Sequence, residues 1–246
     1  MWGLAAALAL AMALTVTACS GSGGQRTGRA LPAGSGPGPG GGRSTSSRVP
    51  SSAPSSAPTT STTARPPARY VFPVQPLGAC GISYGHFHHD YPATDIFSRK
   101  GCRFVAPTDG VVTEVNRTDR WDPATNLGAY RGGRSVAVLG DDGVRYYGSH
   151  LEVVAAGIDP GAHVRAGQLL GLIDNSGDAR STPTHLHFGI SWPTRDGIWW
   201  VRRGEVYPWP YLDSWRAGGN RSPAPAVRAA LARAGRRVPP CPDPTC

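Results

Sequence analysis

The stretch RSVAVLGDDGVRYYGSHL, residues 134–151, says most about the fold. Both halves are rich in β-branched and aromatic residues, a composition typical of strands. Between them, Asp142-Gly143 is a dipeptide that favours the positive-φ positions of a tight hairpin turn. We therefore predict an antiparallel hairpin, with His150 at the close of its second strand.

Similar stretches occur on both sides of this hairpin. VAPTDGVVTEV (105–115) and GQLLGLIDNSG (167–177) also combine short apolar runs with turn residues. No amphipathic helix is evident between residues 70 and 215, and helical composition appears only in VRAALARAG, residues 227–235. The sequence therefore predicts an all-β fold, a mostly antiparallel sheet forming a small sandwich-like or barrel-like hybrid.

Composition divides the chain into four segments. Residues 1–19 hold an uncharged apolar run that ends at Cys19, as in a lipoprotein signal peptide whose cysteine is lipid-modified; an uncleaved membrane anchor is the alternative. Residues 20–69 contain no acidic and no aromatic residue, which predicts a disordered linker. The folded domain is expected at 70–215, followed by a Pro- and Arg-rich tail at 216–246. Either interpretation of the first segment places the domain outside the cytoplasm.

The net charge of +9 is confined to the flanking segments. Residues 20–69 carry six arginines and no acid, residues 216–246 carry six arginines and one acid, and the domain between holds 13 basic and 15 acidic residues. Basic flanks suit an anionic membrane face or cell-wall polymer. A nucleic-acid-binding module would more often carry its charge on the fold itself, so we expect no nucleic-acid partner.

Four cysteines remain when Cys19 is assigned to lipidation. An even number of cysteines in an oxidising compartment favours disulfides, and the absence of any C-x-x-C pair argues against a zinc site built from thiolates. We expect Cys80 to pair with Cys102, and Cys241 with Cys246.

Histidines supply the strongest functional signal. In THLHF (184–188), strand alternation places His185 and His187 on one face and Leu186 on the other. Upstream, GHFHHDYPATDIF (85–97) adds further donors, namely His86, His88, His89 and Asp95. A catalytic zinc site uses three protein ligands and leaves the fourth position for water, so two histidines and one carboxylate would satisfy it.

Two other catalytic motifs are not supported. The helix-borne H-E-x-x-H of many zinc proteases is absent. GISYG (81–85) matches the nucleophile elbow G-x-S-x-G, but that elbow needs a strand-to-helix turn in an α/β sheet. We treat this second match as chance.

Five segments in order resemble the M23 (lysostaphin/LytM-type) zinc metallopeptidases, in an actinobacterial-type lipoprotein form, over about residues 72–213. They are Asp95-Ile96, FVAPTDGVV (104–112), YGSHL (147–151), GAHVRAGQLLGLIDNSG (161–177) and THLHFGI (184–190). The resemblance implies a zinc metalloendopeptidase that holds one zinc ion and hydrolyses peptide bonds in bacterial peptidoglycan.

The resemblance also implies individual roles. Asp95 and His187 would be zinc ligands, His185 the general base, and His150 a second catalytic histidine near the reacting carbonyl. In the mechanism that we expect from these roles, His150 donates a hydrogen bond to the developing oxyanion. The family's first ligand belongs to the pattern H-x-G-x-D, whose histidine position is Tyr91 here.

The first ligand must therefore come from His88 or His89, and the spacing leaves both open. His86 and His163 are expected to be ordinary surface residues. We expect a monomer that is anchored to the membrane through Cys19 or secreted, and that acts on the cell wall. The alternative is a zinc-less M23-like lipoprotein that binds the wall or regulates other enzymes. A third hypothesis is a structural envelope lipoprotein. Which peptide bond is cut stays open.

Overall fold

The computed structural model describes residues 69–242, all within the second of two units of the chain, residues 61–246. The predicted signal segment 1–19 and nearly all of the predicted linker 20–69 lie outside the described residues. Among the residues described, no helix has the length and apolar character needed to cross a membrane.

Ten antiparallel strands in the described residues form one sheet. The strands are β1 (Val74–Gln75), β2 (Ser83–Tyr84), β3 (Ala93–Phe97), β4 (Arg103–Val105), β5 (Gly110–Asn116), β6 (Arg134–Gly140), β7 (Arg145–Val154), β8 (His163–Val164), β9 (Leu169–Ile173) and β10 (His185–Ser191). One path through the sheet has the order β1-β4-β9-β7-β10-β3-β2, and β6, β5 and β8 extend from β7 in a second direction. The predicted all-β, mostly antiparallel fold is confirmed, as a curled half-barrel.

The predicted hairpin is formed by β6 and β7, with Leu139 opposite Arg145. Its turn differs from the prediction, because Gly143 has a positive φ of 79° and Asp142 does not. The Asp142 carboxylate instead accepts hydrogen bonds from the backbone N–H of Val144 (3.1 Å) and the hydroxyl of Tyr146 (2.7 Å). Asp142 thus stabilises the turn through its side chain rather than through an unusual backbone conformation.

Three α-helices follow the last strand: α1 (Trp199–Arg202), α2 (Trp209–Arg216) and α3 (Ala224–Arg233). The prediction that residues 70–215 lack a helix is wrong, most clearly at α2. This helix begins at a Trp-Pro pair, and proline is tolerated in a first helical turn. It buries Tyr211, Leu212 and Trp215, and the ring of Trp215 stacks on Tyr70 at 5.3 Å. Eight residues, of which one is proline and three are aromatic, are too few to show a clear helical period.

Helix α3 lies in the predicted tail and packs against the same core. Ala224, Val227 and Ala230 recur at helical spacing and are buried. The domain boundary at residue 215 stays a prediction, and any shortened version of the protein should keep α3, because removing it would expose this apolar contact.

The expected Cys80–Cys102 disulfide is confirmed, with the two Cα atoms 6.0 Å apart. It joins the turn before β2 to the residue before β4, on either side of the segment that carries the upstream histidines. The expected Cys241–Cys246 pair includes a residue outside the described part of the chain.

Candidate active site

Three neighbouring strands bring the predicted site residues together. Strand β10 lies between β3 and β7, with His187 opposite Asp95 on one side and opposite Ser149 on the other. The alternation predicted for β10 is confirmed: Leu186 is fully buried in the hydrophobic core, while His185 and His187 line the cleft on the opposite face.

His150 reaches the same cleft through an irregularity in β7. The strand pairs with β10 up to Ser149 and with β9 from Leu151, and His150 between them has a φ of 64°. A left-handed conformation of a residue other than glycine costs about 1–3 kcal/mol and is typical of functional sites. Its ring lies 4.8 Å from that of His185 and 6.0 Å from that of His187.

The cleft has a volume of about 540 Å³. Its floor carries the predicted histidines and Asp95, and its walls are aromatic and basic. The wall residues include Tyr91, Trp121, Trp199, Arg131, Arg202 and Arg203. Arg202 is fixed by an ion pair with Glu114 and lies over the ring of Tyr147 at 4.7 Å. The cleft can therefore admit a polar peptide along basic and aromatic walls.

Backbone carbonyls orient three of the histidines. The contacts are His185 Nδ1 to Pro183 O (2.8 Å), His187 Nε2 to Arg203 O (3.0 Å) and His150 Nδ1 to Ser176 O (2.7 Å). A carbonyl oxygen only accepts, so each of these ring nitrogens carries a proton and donates it. In the neutral rings the remaining nitrogen holds a lone pair, at Nε2 of His185, Nδ1 of His187 and Nε2 of His150.

The contact between His187 and Asp95 fits a metal ion. The lone pair at His187 Nδ1 lies 2.9 Å from Asp95 Oδ1, which is also an acceptor, so a cation or a further proton belongs between them. Burial raises the pKa of the Asp95 carboxyl. When His187 carries the further proton, its hydrogen bond and charge, together with the charges of His185 and His88, outweigh burial and hold the pKa of Asp95 below its ordinary range. An imidazole nitrogen and a carboxylate oxygen are both ligands that zinc takes.

The structure distinguishes His88 from His89. The His88 side chain is only 4% exposed, its Nε2 lies 3.8 Å from Asp95 Oδ2, and its ring centre lies 5.1 Å from that of His187. The His89 side chain is 72% exposed and contacts Asp90 at 3.2 Å. The ligand atoms of His88, His89 and Asp95 all lie within 4.8 Å of one another, so proximity alone would admit either histidine. Burial and the contact with His187 favour His88.

We expect His88→Ala to lose most of its bound zinc and His89→Ala to keep it, because only His88 is buried against both Asp95 and His187. Metal content of the two purified variants, measured side by side by atomic emission, makes the comparison. His163→Ala, on an exposed position of β8, serves as the control. Equal zinc loss in the first two variants would contradict the choice of His88.

The remaining sequence candidates behave differently. His86 and His163 are exposed, as expected for surface residues. Ser83 of the G-x-S-x-G match lies in strand β2, pairs with Phe97 and is exposed, and no helix follows it. None of these three side chains lines the cleft.

The residues that hold His187 in place are not among those predicted from the sequence. The Arg203 carbonyl can reach His187 because Gly189 has no side chain: a Cβ there would lie 2.2 Å from the Arg203 oxygen. Gly204 is equally close to its neighbour, since a Cβ there would lie 2.2 Å from the carbonyl oxygen of Pro92. Gly189 was the available signal, since glycine inside a strand often marks close approach of another backbone.

Residues 89–197 match the model of peptidase family M23. This part of the chain, less than half of its length, is similar to family M23. The M23 segment contains Asp95, His150, His185 and His187, whereas His88 lies one residue before it and Arg203 lies beyond its end. The search of curated proteins finds no match to the chain.

Several solved structures are similar to this chain. The catalytic domain of lysostaphin from Staphylococcus simulans is 23% identical, with 55% of this chain and 91% of that chain covered and a TM-score of 0.39. A LytM protein from Ruminococcus gnavus is 26% identical, with 62% of each chain covered and a TM-score of 0.47. A zinc-containing peptidase from Vibrio cholerae is 18% identical, with 50% of this chain and 36% of that chain covered and a TM-score of 0.38. This chain thus spans less than two thirds of the last two proteins.

Proposed function

We propose that the chain is a zinc-dependent endopeptidase that hydrolyses peptide bonds in bacterial peptidoglycan. The observation that carries this proposal is the convergence, in the M23 segment and at His88 just before it, of a histidine–carboxylate–histidine set with two further histidines that line the same cleft. A purely structural sheet would not need four buried or half-buried imidazoles around one carboxylate.

His88, Asp95 and His187 would hold one zinc ion. When bound, zinc supplies a Lewis acid that lowers the pKa of a water molecule and polarises the substrate carbonyl. The Arg203 carbonyl fixes the tautomer of His187, as a hydrogen-bonded partner does for most metal-binding histidines. Asp95 contributes the negative charge that a dication requires.

His185 is the proposed general base. Its Nδ1–H is bound to the Pro183 carbonyl, so the ring is held with Nε2 available, 4.0 Å from Asp95 Oδ1. Nε2 can take a proton from the attacking water and later return it to the leaving amine. Separation of base and ligand by one residue lets the strand place both against the same reacting centre.

His150 suits a different role from the expected one. With Nδ1–H donated to Ser176 O, the neutral ring presents an acceptor at Nε2, and only a second proton would make it a donor to an oxyanion. Burial, followed by the charges of His187 and His185, lowers the pKa of His150 to about 3, which opposes that second proton. We therefore assign His150 to accept a hydrogen bond from the water and orient it.

Peptidoglycan as substrate implies action outside the cytoplasm. The lipid anchor at Cys19 and the flexible linker remain part of the proposal, and both fall outside the described residues. A linker of about 50 residues spans on the order of 40 Å on average, and extends further, so it would let the domain reach the wall from the membrane. A monomer is sufficient for this arrangement, because the cleft described above is built from one chain.

The function is tested by incubating the purified, zinc-loaded chain with isolated cell wall and assaying new amino groups and new reducing sugars. We expect amine release without new reducing ends, because a peptidase leaves the glycan intact. A chelator should abolish amine release and added zinc should restore it, since the proposed chemistry needs the metal.

The same assay separates the alternatives. A glycan hydrolase would raise reducing ends, and a zinc-less wall-binding protein would release neither product yet co-sediment with the wall. His187→Ala identifies contamination, because amine release that persists in this variant cannot come from the proposed site. Absence of amine release from several wall types, with zinc bound, would contradict the proposal.

A further inference from the structure

A second groove, of about 460 Å³, adjoins the catalytic cleft. The two share four wall residues, Asp90, Tyr91, Arg131 and Arg203, so a bound peptide could extend from one into the other. The far wall is formed by Trp200 and the proline-rich segment after α3, and the indole N–H of Trp200 donates to the Pro239 carbonyl at 2.9 Å. The groove therefore has an apolar side as well as a polar one.

Arg203 presents an unpaired cation to this groove. Its guanidinium lies over the ring of Tyr91 at 3.9 Å and near that of Trp199 at 5.1 Å. Its Nε is buried without a hydrogen-bond partner, and within residues 69–242 the side chain makes no ion pair. Contact with two aromatic rings restrains the guanidinium, and a restrained guanidinium is well suited to bind a carboxylate.

Glu205 presents a carboxyl group without a direct charged partner to the same groove. It lies two residues from Arg203 and is half-buried, yet its carboxylate takes part in no hydrogen bond or ion pair among the described side chains. Burial raises the pKa of Glu205 to about 7, although the charges of Arg203 and Arg145 oppose this. The arginine and the glutamate are thus near each other but do not neutralise each other by direct contact.

We propose that the second groove is a substrate subsite for the zwitterionic end of an amino-acid side chain, with its carboxylate on Arg203 and its ammonium on Glu205. The apolar stem of that side chain would lie along Trp200 and the proline segment. This inference rests on the proposed function. In peptidoglycan peptides, the free end of a diaminopimelate residue has this chemistry, whereas lysine at the same position has an amine without a carboxylate.

The test uses the full-length, zinc-loaded chain and four synthetic crosslinked peptides. They carry a free diaminopimelate end, the same end with its carboxyl amidated, the same end with its amine acetylated, or lysine instead. For the wild type we expect kcat/KM to fall about 10–100-fold when either charged group is blocked, as for loss of a charge-assisted hydrogen bond.

For each variant, the measured quantity is the ratio of the kcat/KM values for two peptides. A general loss of activity lowers both values and leaves this ratio unchanged. In Arg203→Gln, amidation of the carboxyl should no longer lower kcat/KM, whereas acetylation of the amine should still lower it. In Glu205→Gln, acetylation should no longer lower kcat/KM, whereas amidation should still lower it. Arg195→Gln, at an exposed position outside both grooves, should keep both penalties. Equal cleavage of all four peptides by the wild type would overturn the subsite and leave the peptidase function standing.

Binding separates failure of the subsite from failure of the function. Dissociation constants of the four peptides are measured by calorimetry with the metal-free full-length chain. Preference for the free diaminopimelate end without any cleavage by the zinc-loaded protein would support the subsite and contradict the proposed function. Equal affinity for all four peptides would overturn the subsite.

Discussion

Replacing His185 by alanine is expected to lower the rate of peptide cleavage by about 10²–10⁴-fold while zinc content stays near that of the wild type, the loss typical of a missing general base. The physical reason is that the free ring nitrogens of His185 and His187 have different surroundings. His187 directs Nδ1 at Asp95 Oδ1 at 2.9 Å, whereas His185 Nε2 lies 4.0 Å from that oxygen. In the proposed mechanism, His185 therefore serves the water and His187 serves the metal.

The companion variants make this prediction specific. His187→Ala and Asp95→Ala are expected to lose both zinc and activity, because each removes a proposed zinc ligand. Metal analysis and cleavage of isolated wall are measured on the same protein preparations, with His163→Ala as a surface control. Zinc loss in His185→Ala equal to that in His187→Ala would show that the two roles are not divided as proposed.

Local features of the sheet could be predicted from the sequence. The β6–β7 hairpin follows from strand composition and a turn glycine, and the shared face of His185 and His187 follows from strand alternation. The position of Asp95 opposite His187 could not be derived in this way. It depends on the register of β3 against β10, two strands about 90 residues apart, and entered through resemblance to a family.

The path of the histidine loop was likewise beyond local prediction. His86 stacks on Trp209 at 4.2 Å and Phe87 packs edge-on against Tyr207 at 5.7 Å, so residues more than a hundred positions away hold the loop. These contacts decide that His88 turns inward and His89 outward. Spacing to Asp95 alone allowed both, because it contains no information about such packing.

The protonation state of His150 also could not be predicted from the sequence. Its place in the motif predicted a catalytic histidine, and the structure brings its ring to the cleft. Which nitrogen is protonated depends on the Ser176 carbonyl, 26 residues away, and on the positive φ of His150 itself. A hydrogen-bond donor cannot be told from an acceptor in a histidine without knowing the partner of its other nitrogen.

Gly189→Ala is expected to weaken zinc affinity about 10–100-fold, the usual effect of disturbing the partner that orients a metal-binding histidine. A Cβ at this position would lie 2.2 Å from the oxygen and 2.7 Å from the carbon of the Arg203 carbonyl, so the backbone there must move. That oxygen accepts the Nε2–H of His187 at 3.0 Å. Its displacement leaves a buried N–H without a partner, at a cost of about 1–3 kcal/mol, and frees the ring to rotate away from Asp95.

Zinc affinity of Gly189→Ala is measured by competition with a chromophoric chelator, and thermal unfolding is recorded in parallel. Gly78→Ala is the matched control, because a Cβ at Gly78 meets no atom within 4 Å and its φ is not positive. If the effect acts through His187, saturating zinc should restore much of the activity of Gly189→Ala, whereas a general folding defect would persist. Wild-type zinc affinity in a folded Gly189→Ala protein would show that the Arg203 carbonyl does not position His187, and the chain beyond the M23 segment would then have no part in holding the metal.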